Sequence, residues 1–394
     1  MIYLDNAATT KTAPEVIEAM LPYFGEQYGN PSAIYSLGSA AKKAVNQAKR
    51  AIAAAIGAKQ EEIYFTSGGT EADNWALKCA AEAYQEKGKH LITTRIEHHA
   101  VLHTCAWLEK KGFEVTYLPV NEEGLVDLEE LKAAIRPDTI LISVMFANNE
   151  IGTIEPVAEI GAVAREHGIL FHTDAVQAFG QLPLDVEELR IDLLSASGHK
   201  VNGPKGIGFL YVRSGLKLGS FFHGGAQERN RRAGTENVPG IVGLEAAAER
   251  AMRLMEEKTK KVSGLRDYLI RKIEAEIPYC RLNGHRTKRL PGNVNFSFSF
   301  VEGESVLIML DMKGICASSG SACTSGALDP SHVLLALGRS HEEAHGSLRM
   351  TLSEENTREE LDYVVESLVE ILWKLREMSP LYEDFLKRGG AYVQ

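Results

Sequence analysis

Apolar strand-like runs alternate with amphipathic helical patterns between about Thr66 and Val212. Patterns such as EADNWALKCAAEAYQEKG and EPVAEIGAVAREHG separate these runs. Because continuous apolar strands are typical of sheets that helices cover on both faces, this order predicts an α/β fold with a mostly parallel, doubly wound sheet. The apolar runs are, in chain order, EIYFTS, HLITTRI, EVTYLPV, TILISVMFA, GILFHTD, DLLSAS and IGFLYV.

A second pattern follows this region and predicts a smaller α+β domain. The long helical stretch GIVGLEAAAERAMRLMEEKTKKVSGLRDYLIRKIEAEI leads to the strand-like run GNVNFSFSF and to a closing helix from about Thr357. Apolar residues repeat at helical spacing in that last helix. We therefore predict a large α/β domain over residues 13–255 and a small α+β domain over residues 1–12 and 256–394, with a loop at about 317–328.

Composition and charge exclude several classes of function. The chain has 394 residues, of which 44% are hydrophobic and 24% charged, as in ordinary globular proteins. A formal net charge of -10 argues against a nucleic-acid partner, because such a partner needs a clustered basic surface. The start, MIYLDNAATT, lacks the segments of a signal peptide, and no apolar run approaches the roughly 20 residues of a membrane span. We therefore expect a cytoplasmic protein without a membrane partner.

Cysteine and histidine patterns predict no intrinsic metal site. The five cysteines include no C-x-x-C pair, so neither a disulfide framework nor a zinc ribbon is expected. The stretch HEEAH, from His341 to His345, formally matches a zinc-protease helix, but a capping box before it and Gly346 after it predict a helix that is too short. His99 and His103 are four residues apart and have no clear third ligand in the sequence.

Two charged residues follow predicted strands at the sheet edge where ligands of doubly wound folds bind. Asp174 ends the run GILFHTD, and Lys200 comes shortly after DLLSAS. A purely structural ion pair is a poor explanation, since burying both charges is costly. In SGGTEA, Gly68 and Gly69 permit a tight turn and Thr70 opens a helix whose free amides suit a phosphate. A lysine for a Schiff base, an acid for the pyridine nitrogen and a phosphate cradle are what a pyridoxal phosphate enzyme needs.

The ordered motifs of the whole chain resemble those of one enzyme family. The chain is similar to the cysteine desulfurases of the NifS/IscS class, which have the aspartate-aminotransferase-like fold of fold-type I pyridoxal phosphate enzymes and belong to the class V aminotransferases. The matching motifs are YLDNAATT, GNPSAIYSLG, FTSGGTEADN, EHHAV, NNEIGT, HTDAVQAFG, SASGHKVNGPKGIGFLYV, RRAGTENVPGIVGL, ASSGSACTSG and GSLRMTLS.

The resemblance assigns roles to residues at the matching motif positions. It implies that Lys200 binds pyridoxal 5'-phosphate, that Asp174 pairs with the ring nitrogen and that His98 stacks on the ring as a catalytic residue. It also implies a homodimer, in which Thr235 of the RRAGT loop reaches the neighbouring subunit's phosphate. The implied cofactor-binding residues are Gly69, Thr70, Asn149, Asp174, Gln177, Ser197, His199, Lys200 and Thr235, and the implied substrate-binding residues are Asn30, Asn149 and Arg349.

Cys323 lies in ASSGSACTSG, where small residues predict a mobile loop. The thiolate is the nucleophilic form of cysteine, and such a loop suits a sulfur that must reach a substrate and then an acceptor. The resemblance implies that Cys323 is catalytic and holds the transferred sulfur as a persulfide. It could also be a transient iron-sulfur ligand shared with a scaffold protein. Cys316, by contrast, is expected to be a core strand residue.

The reaction that the resemblance implies converts L-cysteine to L-alanine and an enzyme-bound persulfide. An iron-sulfur scaffold protein or another acceptor would then take the sulfur. A selenocysteine lyase or another class V pyridoxal phosphate aminotransferase is the alternative, although an aminotransferase has no use for the Cys323 loop. A sulfur or metal binder without catalytic activity is a third possibility, against which the presence of Lys200, Asp174 and His98 argues.

Overall fold

The structure of the protein is a computed structural model, which describes residues 1–319 and 330–390. The strands within these ranges are β1 (Ile2–Tyr3), β2 (Ile63–Thr66), β3 (His90–Thr94), β4 (Glu114–Leu118), β5 (Thr139–Ser143), β6 (Leu170–Asp174), β7 (Leu193–Ser197), β8 (Gly208–Val212), β9 (Cys280–Leu282), β10 (Asn293–Phe298), β11 (Ile315–Cys316) and β12 (Ser347–Thr351).

Helices connect these strands, and none of the helices described is both long and apolar enough to span a membrane. Their bounds are α1 (Pro14–Met20), α2 (Pro22–Gly25), α3 (Ser36–Ala55), α4 (Gly69–Tyr84), α5 (His99–Glu109), α6 (Leu128–Ala134), α7 (Val157–Glu166), α8 (Gln227–Asn230), α9 (Val238–Glu276), α10 (Gly303–Met312), α11 (His332–Ala336), α12 (His341–His345), α13 (Arg358–Glu377) and α14 (Pro380–Lys387). Short 3-10 turns cover Gln60–Glu62 and Gly198–Lys200.

The large sheet has the strand order β2-β8-β7-β6-β5-β3-β4. Every neighbouring pair from β7 to β4 is parallel, whereas β8 is antiparallel to both β7 and β2. The prediction of a mostly parallel, doubly wound sheet is therefore confirmed. Because parallel strands end at one edge, the residues after β3, β5, β6 and β7 lie along the same side of the molecule.

Helices pack on both faces of this sheet, which explains why its strands are apolar along their whole length. Adjacent residues of β6 point to opposite faces. Leu170 belongs to the cluster of buried residues that contains Trp75 of α4, and Phe171 belongs to the cluster that contains Ile52 of α3. The two clusters hold the strand ends in place from both sides.

The C-terminal part of the chain forms a second, smaller sheet. In this sheet, strands β12, β10 and β9 pair antiparallel. Strands β1 and β11 form a separate two-stranded parallel sheet. Thr357 caps α13, as expected, and the predicted apolar face of this helix is buried against the sheet. α9 continues without a break through residue 255, so the predicted domain limits at residues 12 and 255 stay a prediction. The helix supplies buried residues to both cores, from Val238 to Ala248 and from Val262 to Ile273.

Residues 3–10, which we call the N-terminal strap, connect the two sheets. The amide of Leu4 donates to the Cys316 carbonyl, and the amide of Asn6 donates to the Thr351 carbonyl. Further along, the amide of Thr10 donates to the His199 carbonyl over 2.9 Å, close to Lys200. The strap thus runs from the small sheet to the carboxyl edge of the large one.

HEEAH forms the five-residue helix α12, as the capping box predicted. Ser340 caps it, since its Oγ accepts from the Glu343 amide over 3.1 Å while the Glu343 carboxylate accepts from the Ser340 amide over 2.9 Å. Gly346 follows the last helical residue. The stretch is a short capped helix and not the long helix of a zinc protease.

Candidate active site

Lys200 ends the 3-10 turn that follows β7. Its Nζ atom donates hydrogen bonds to the carbonyls of Ala7 and Ala8 in the N-terminal strap, the second over 2.8 Å. Gly198 has no side chain, so this turn can lie close to the loop after Lys200. A Cβ atom added at Gly198 would lie 3.1 Å from the Pro204 carbonyl oxygen. The chain therefore places a lysine amine at the ligand-binding edge of the sheet.

Asp174 is the last residue of β6, the neighbour of β7 in the sheet, and pairs in register with Ser195. Its carboxylate is buried and accepts from the Val176 amide over 2.9 Å. Burial raises the pKa of Asp174 to about 6, while the Val176 amide and the charge of Lys200 act in the opposite direction. The structure thus confirms that the strands before Lys200 and Asp174 are adjacent.

The turn between β2 and α4 has the form of an anion cradle. Gly68 has φ +153, which favours glycine, and Gly69 opens α4. An added Cβ at Gly69 would lie 2.5 Å from Val176 and 3.7 Å from the Cβ atom of Ser197, so no larger residue fits there. The amides of the first turn, including that of Thr70, have no carbonyl partner within the helix and form the positive end of its dipole. Gly69 therefore lies against Ser197. That these two residues and Thr70 hold a phosphate stays a prediction.

His98 precedes α5 and caps it. Its Nδ1 atom accepts from the Ala100 amide over 3.1 Å, so the neutral ring carries its proton on Nε2. The pKa of His98 is lowered to about 4, mainly by burial and then by the charges of Lys200, His332 and His103. The ring is therefore neutral at pH 7 and lies within electrostatic reach of Lys200.

A third histidine, His332, lies beside His99 and His103, and the sequence did not predict this contact. The ring centre of His332, on α11, lies 4.7 Å from that of His99, and the rings of His99 and His103 are 5.0 Å apart. His332 Nε2 donates to the Glu97 carbonyl over 3.0 Å. Even so, no group of three His, Cys, Asp or Glu side chains within residues 1–319 and 330–390 is arranged to bind a metal ion.

Arg349 lies in the middle of β12, and its guanidinium is almost fully buried. Nη2 donates to the Asp5 carboxylate over 2.9 Å, and Nη1 donates to the Asn149 carbonyl over 3.2 Å. The buried Nε atom has no hydrogen-bond partner among the described residues. Arg349 therefore meets the backbone of Asn149, its predicted neighbour in substrate binding, and also meets Asp5, which the sequence did not single out.

Gln177 and His199 lie beside Lys200. The Gln177 amide donates to the Ala7 carbonyl over 3.1 Å, the same carbonyl that Lys200 binds. The ring of His199 contacts the Thr9 hydroxyl through Nδ1 at 3.1 Å. The pKa of His199 is lowered to about 4, mainly by burial and then by the charges of Lys200 and Lys205. Both predicted cofactor-binding residues thus contact the strap next to the lysine.

Thr235 and Asn30 are the remaining described residues to which the resemblance assigns a role. Thr235 lines a cavity together with Ser67, next to the anion cradle, and the same loop is fixed by a two-point ion pair between Arg232 and Glu71. Asn30 is exposed, and its side-chain oxygen accepts from the Ser32 amide over 2.9 Å. The predicted roles of both residues stay predictions.

A buried polar network lies under the active-site edge and was not predicted. His172, two residues before Asp174 in β6, contacts the hydroxyls of Ser143 at 2.8 Å and Ser195 at 3.0 Å. Burial lowers the pKa of His172 to about 3, so its 3.6 Å approach to Asp73 is not an ion pair at neutral pH. Burial and then the charge of Asp174 raise the pKa of Asp73. Polar residues inside the apolar runs of the sequence, such as His172 in ILFHTD, indicate such a network.

Cys323 lies outside the described residues. The chain before it is held at Ser318, whose amide donates to the Arg349 carbonyl over 3.1 Å. Of the described cysteines, Cys316 is the half-buried end of β11, close to its expected place in a core strand.

Comparisons with known proteins agree with this geometry. The aminotransferase class-V model matches residues 2–364. A protein named cysteine desulfurase IscS from Methanosarcina thermophila is 60% identical over 96% of this chain and 94% of its own length. One of the same name from Clostridium botulinum is 58% identical over 98% of both chains.

Solved structures lead to the same family. One titled "NIFS-LIKE PROTEIN" has a TM-score of 0.89 and 39% identity, and the match covers 94% of this chain and 99% of that one. Another, titled "SspA in complex with cysteine", has a TM-score of 0.81 and 40% identity over 91% of this chain and 100% of the other. The predicted family and fold type are confirmed: the chain belongs to the aminotransferase class-V family, among its cysteine desulfurases.

Proposed function

We propose that this protein removes the sulfur of L-cysteine, releases L-alanine and keeps the sulfur as a persulfide on Cys323. The observation that best supports this function is the position of Lys200 and Asp174 on adjacent strand ends, connected through the strap to the buried guanidinium of Arg349. Relatives named cysteine desulfurase at 58% and 60% identity support the same reaction.

The donor set at the sheet edge fits pyridoxal phosphate. The first-turn amides of α4 and the Ser197 hydroxyl suit its phosphate, since helix N-termini favour anions. Asp174 suits a protonated ring nitrogen, because a buried carboxylate is stabilised by a cation beside it. Gln177 would hydrogen-bond a ring substituent, and Lys200 would hold the cofactor through Nζ. When bound, pyridoxal phosphate supplies an electron sink for the bond broken at Cα.

Lys200 is also the proposed base for the substrate α-proton. A lysine amine without its proton is a suitable general base when it is held near the reacting carbon. The His98 ring lies within electrostatic reach of Lys200. Because the ring is neutral, it does not add a second positive charge there. Its Nε2 carries the proton and is free of the backbone bond that engages Nδ1, so it can donate to a bound group.

Arg349 is the proposed binding group for the substrate carboxylate, together with Asn149 and Asn30. A guanidinium offers two parallel donors, which match the two oxygens of a carboxylate. Its unpartnered Nε atom supports this role, because an unsatisfied buried donor gains a partner when an anion binds.

Sulfur transfer then requires a thiolate. The Cys323 thiolate attacks the substrate sulfur, an S–S bond forms, and the C–S bond breaks. The electron pair of the C–S bond stays with Cβ, which takes up a proton, so cysteine becomes alanine and no oxidant is needed. Burial raises the pKa of Cys79 to about 12 and that of Cys280 to about 11, and it raises the pKa of Cys105 as well. These three thiols stay protonated at neutral pH, which supports Cys323 as the nucleophile.

The proposed function includes a homodimer and a protein that accepts the sulfur. Thr235, beside the cradle in its own subunit, would contact the phosphate of a second subunit in a homodimer. An iron-sulfur scaffold protein or another acceptor would take the persulfide sulfur from Cys323. The cytoplasmic location and the absence of nucleic-acid and membrane partners stay predictions from composition and charge.

The test is a product assay with purified protein, pyridoxal phosphate and a thiol reductant. We expect equal amounts of alanine and sulfide from L-cysteine, and no turnover by Lys200→Ala. Turnover of L-selenocysteine without turnover of L-cysteine would assign the protein as a selenocysteine lyase. Amino transfer to a keto acid without sulfide release would assign it as an aminotransferase, and either outcome overturns the proposal.

A further inference from the structure

Arg349 already has a carboxylate partner within the chain. Nη2 donates to Asp5 Oδ1 over 2.9 Å, and the exposed fractions of the two side chains are 3% for Arg349 and 20% for Asp5. The pair is therefore buried on the arginine side and open on the aspartate side.

The strap fixes the position of Asp5. The Tyr3 hydroxyl donates to the Asp5 carbonyl over 3.1 Å, and Asp5 forms an isolated parallel bridge with Thr351, two residues after Arg349 on β12. The Ala7 amide donates to Thr351 Oγ1 over 2.8 Å. Because backbone contacts hold the strap on β12, the Asp5 side chain is held within reach of the guanidinium.

The strap contacts both of the groups that the proposed substrate would need. Its Ala7 and Ala8 carbonyls accept from Lys200, and its Asp5 carboxylate accepts from Arg349. The charge of Arg349 also acts on Glu150, but burial raises the pKa of Glu150 to about 7, and its carboxyl group accepts from the Ser331 hydroxyl. Within residues 1–319 and 330–390, Asp5 is thus the carboxylate that Arg349 contacts directly.

We propose that Asp5 is an internal competitor of the substrate, a positioning residue that holds Arg349 until the carboxylate of cysteine displaces it. This inference rests on the proposed function, since it takes Arg349 as the group that binds the substrate carboxylate. When no substrate is bound, Asp5 fixes the orientation of the buried guanidinium and balances its positive charge. Substrate affinity is lowered as a result, because each binding event replaces one charge-assisted hydrogen bond with another.

The test compares Asp5→Asn with wild-type holoenzyme. The amide keeps an oxygen acceptor for Arg349 and removes the charge, so the competitor is weakened while the geometry is retained. We expect the KM for L-cysteine to fall by about threefold to tenfold. The difference in free energy between a charge-assisted and a neutral hydrogen bond corresponds to roughly this change in a binding constant. We expect kcat to change less, and the KM for L-cysteine methyl ester, which has no carboxylate, to stay unchanged.

Two further variants serve as controls. Asp5→Glu keeps the anion and should not lower the KM, and Glu15→Gln removes a carboxylate that pairs with Arg250 and Arg253 on the surface and should leave the KM unchanged. An unchanged or raised KM in a folded Asp5→Asn enzyme, or an equal fall for the methyl ester, would overturn the inference.

Arg349→Gln separates this inference from the proposed function. If it raises the KM for L-cysteine and Asp5→Asn does not lower it, Asp5 is no competitor, but the role of Arg349 stands. If Arg349→Gln leaves the KM unchanged, the proposed role of Arg349 fails and the inference about Asp5 fails with it.

Discussion

The backbones of Ser318 and Arg349 exchange two hydrogen bonds, from the Ser318 amide over 3.1 Å and from the Arg349 amide over 2.6 Å. The chain that leads to Cys323 is therefore anchored on the strand residue that is proposed to hold the substrate carboxylate.

The first prediction concerns Lys200. Lys200→Ala should remove the borohydride-reducible bond between protein and cofactor and lower turnover by at least about a thousandfold, because both the attachment point and the base are lost. Lys205→Ala is the matched control, since Lys205 is an exposed lysine of the following loop. Visible absorbance before and after borohydride treatment gives the readout, and a retained reducible bond in Lys200→Ala would exclude Lys200 as the cofactor lysine.

Asp174 should govern cofactor affinity. Replacing it with Asn keeps the size of the side chain but removes the charge that would stabilise a protonated ring nitrogen. We expect the Kd for pyridoxal phosphate to rise by about tenfold or more, as for the loss of one buried charge-assisted hydrogen bond. Titration of apoprotein with pyridoxal phosphate, followed by absorbance, measures this change. Asp384→Asn, an exposed position on α14, is the control, and equal Kd values for the two variants would contradict the role of Asp174.

The buried ring of His172 should make the apoprotein less stable in acid. Its pKa is about 3 when folded and near 6.5 when unfolded, so the unfolded state binds more protons between these values and stability falls as the pH drops below about 6.5. The wild type should lose about 2 kcal/mol more than His172→Gln between pH 7.5 and pH 5. Denaturant unfolding of both proteins at the two pH values tests this.

The exposed residue His223 gives the control for that experiment. His223→Gln should follow the wild type at both pH values, because its ring is solvated in the folded and the unfolded state. If His172→Gln follows the wild type as well, the buried ring is not a source of the acid sensitivity.

Assembly gives a further prediction. We expect a homodimer in sedimentation velocity, and we expect Thr235→Ala to raise the Kd for pyridoxal phosphate by roughly fivefold while the protein remains dimeric, as for the loss of one hydrogen bond to a charged phosphate. A monomer with full activity at the assay concentration would contradict the shared site.

Much of the site could be predicted because its residues follow short apolar runs. Lys200 and Asp174 were expected at adjacent strand ends, and the register of β6 and β7 places them there. The alternation of apolar runs with helical patterns predicts parallel strands, because each pair of parallel strands needs a crossover connection, usually a helix. The fold could be predicted for the same reason.

Contacts between distant parts of the chain could not be predicted in this way. Asp5 and Arg349 are 344 positions apart, and their contact depends on how the strap crosses the second sheet. The approach of His332 to His99 likewise depends on the packing of α11 against α5. No local pattern encodes such distances, although YLDNAATT was one of the motifs that indicated the family.

Mass spectrometry after a short pulse of L-cysteine tests the central claim most directly. The holoenzyme, alkylated and digested after the pulse, should carry one added sulfur on Cys323, and Cys323→Ser should carry none and release alanine at least about a thousandfold more slowly, because a hydroxyl is a far poorer nucleophile than a thiolate. Cys316→Ser should keep the added sulfur on Cys323. Added sulfur on Cys79, Cys105, Cys280 or Cys316, together with full activity of Cys323→Ser, would contradict the account.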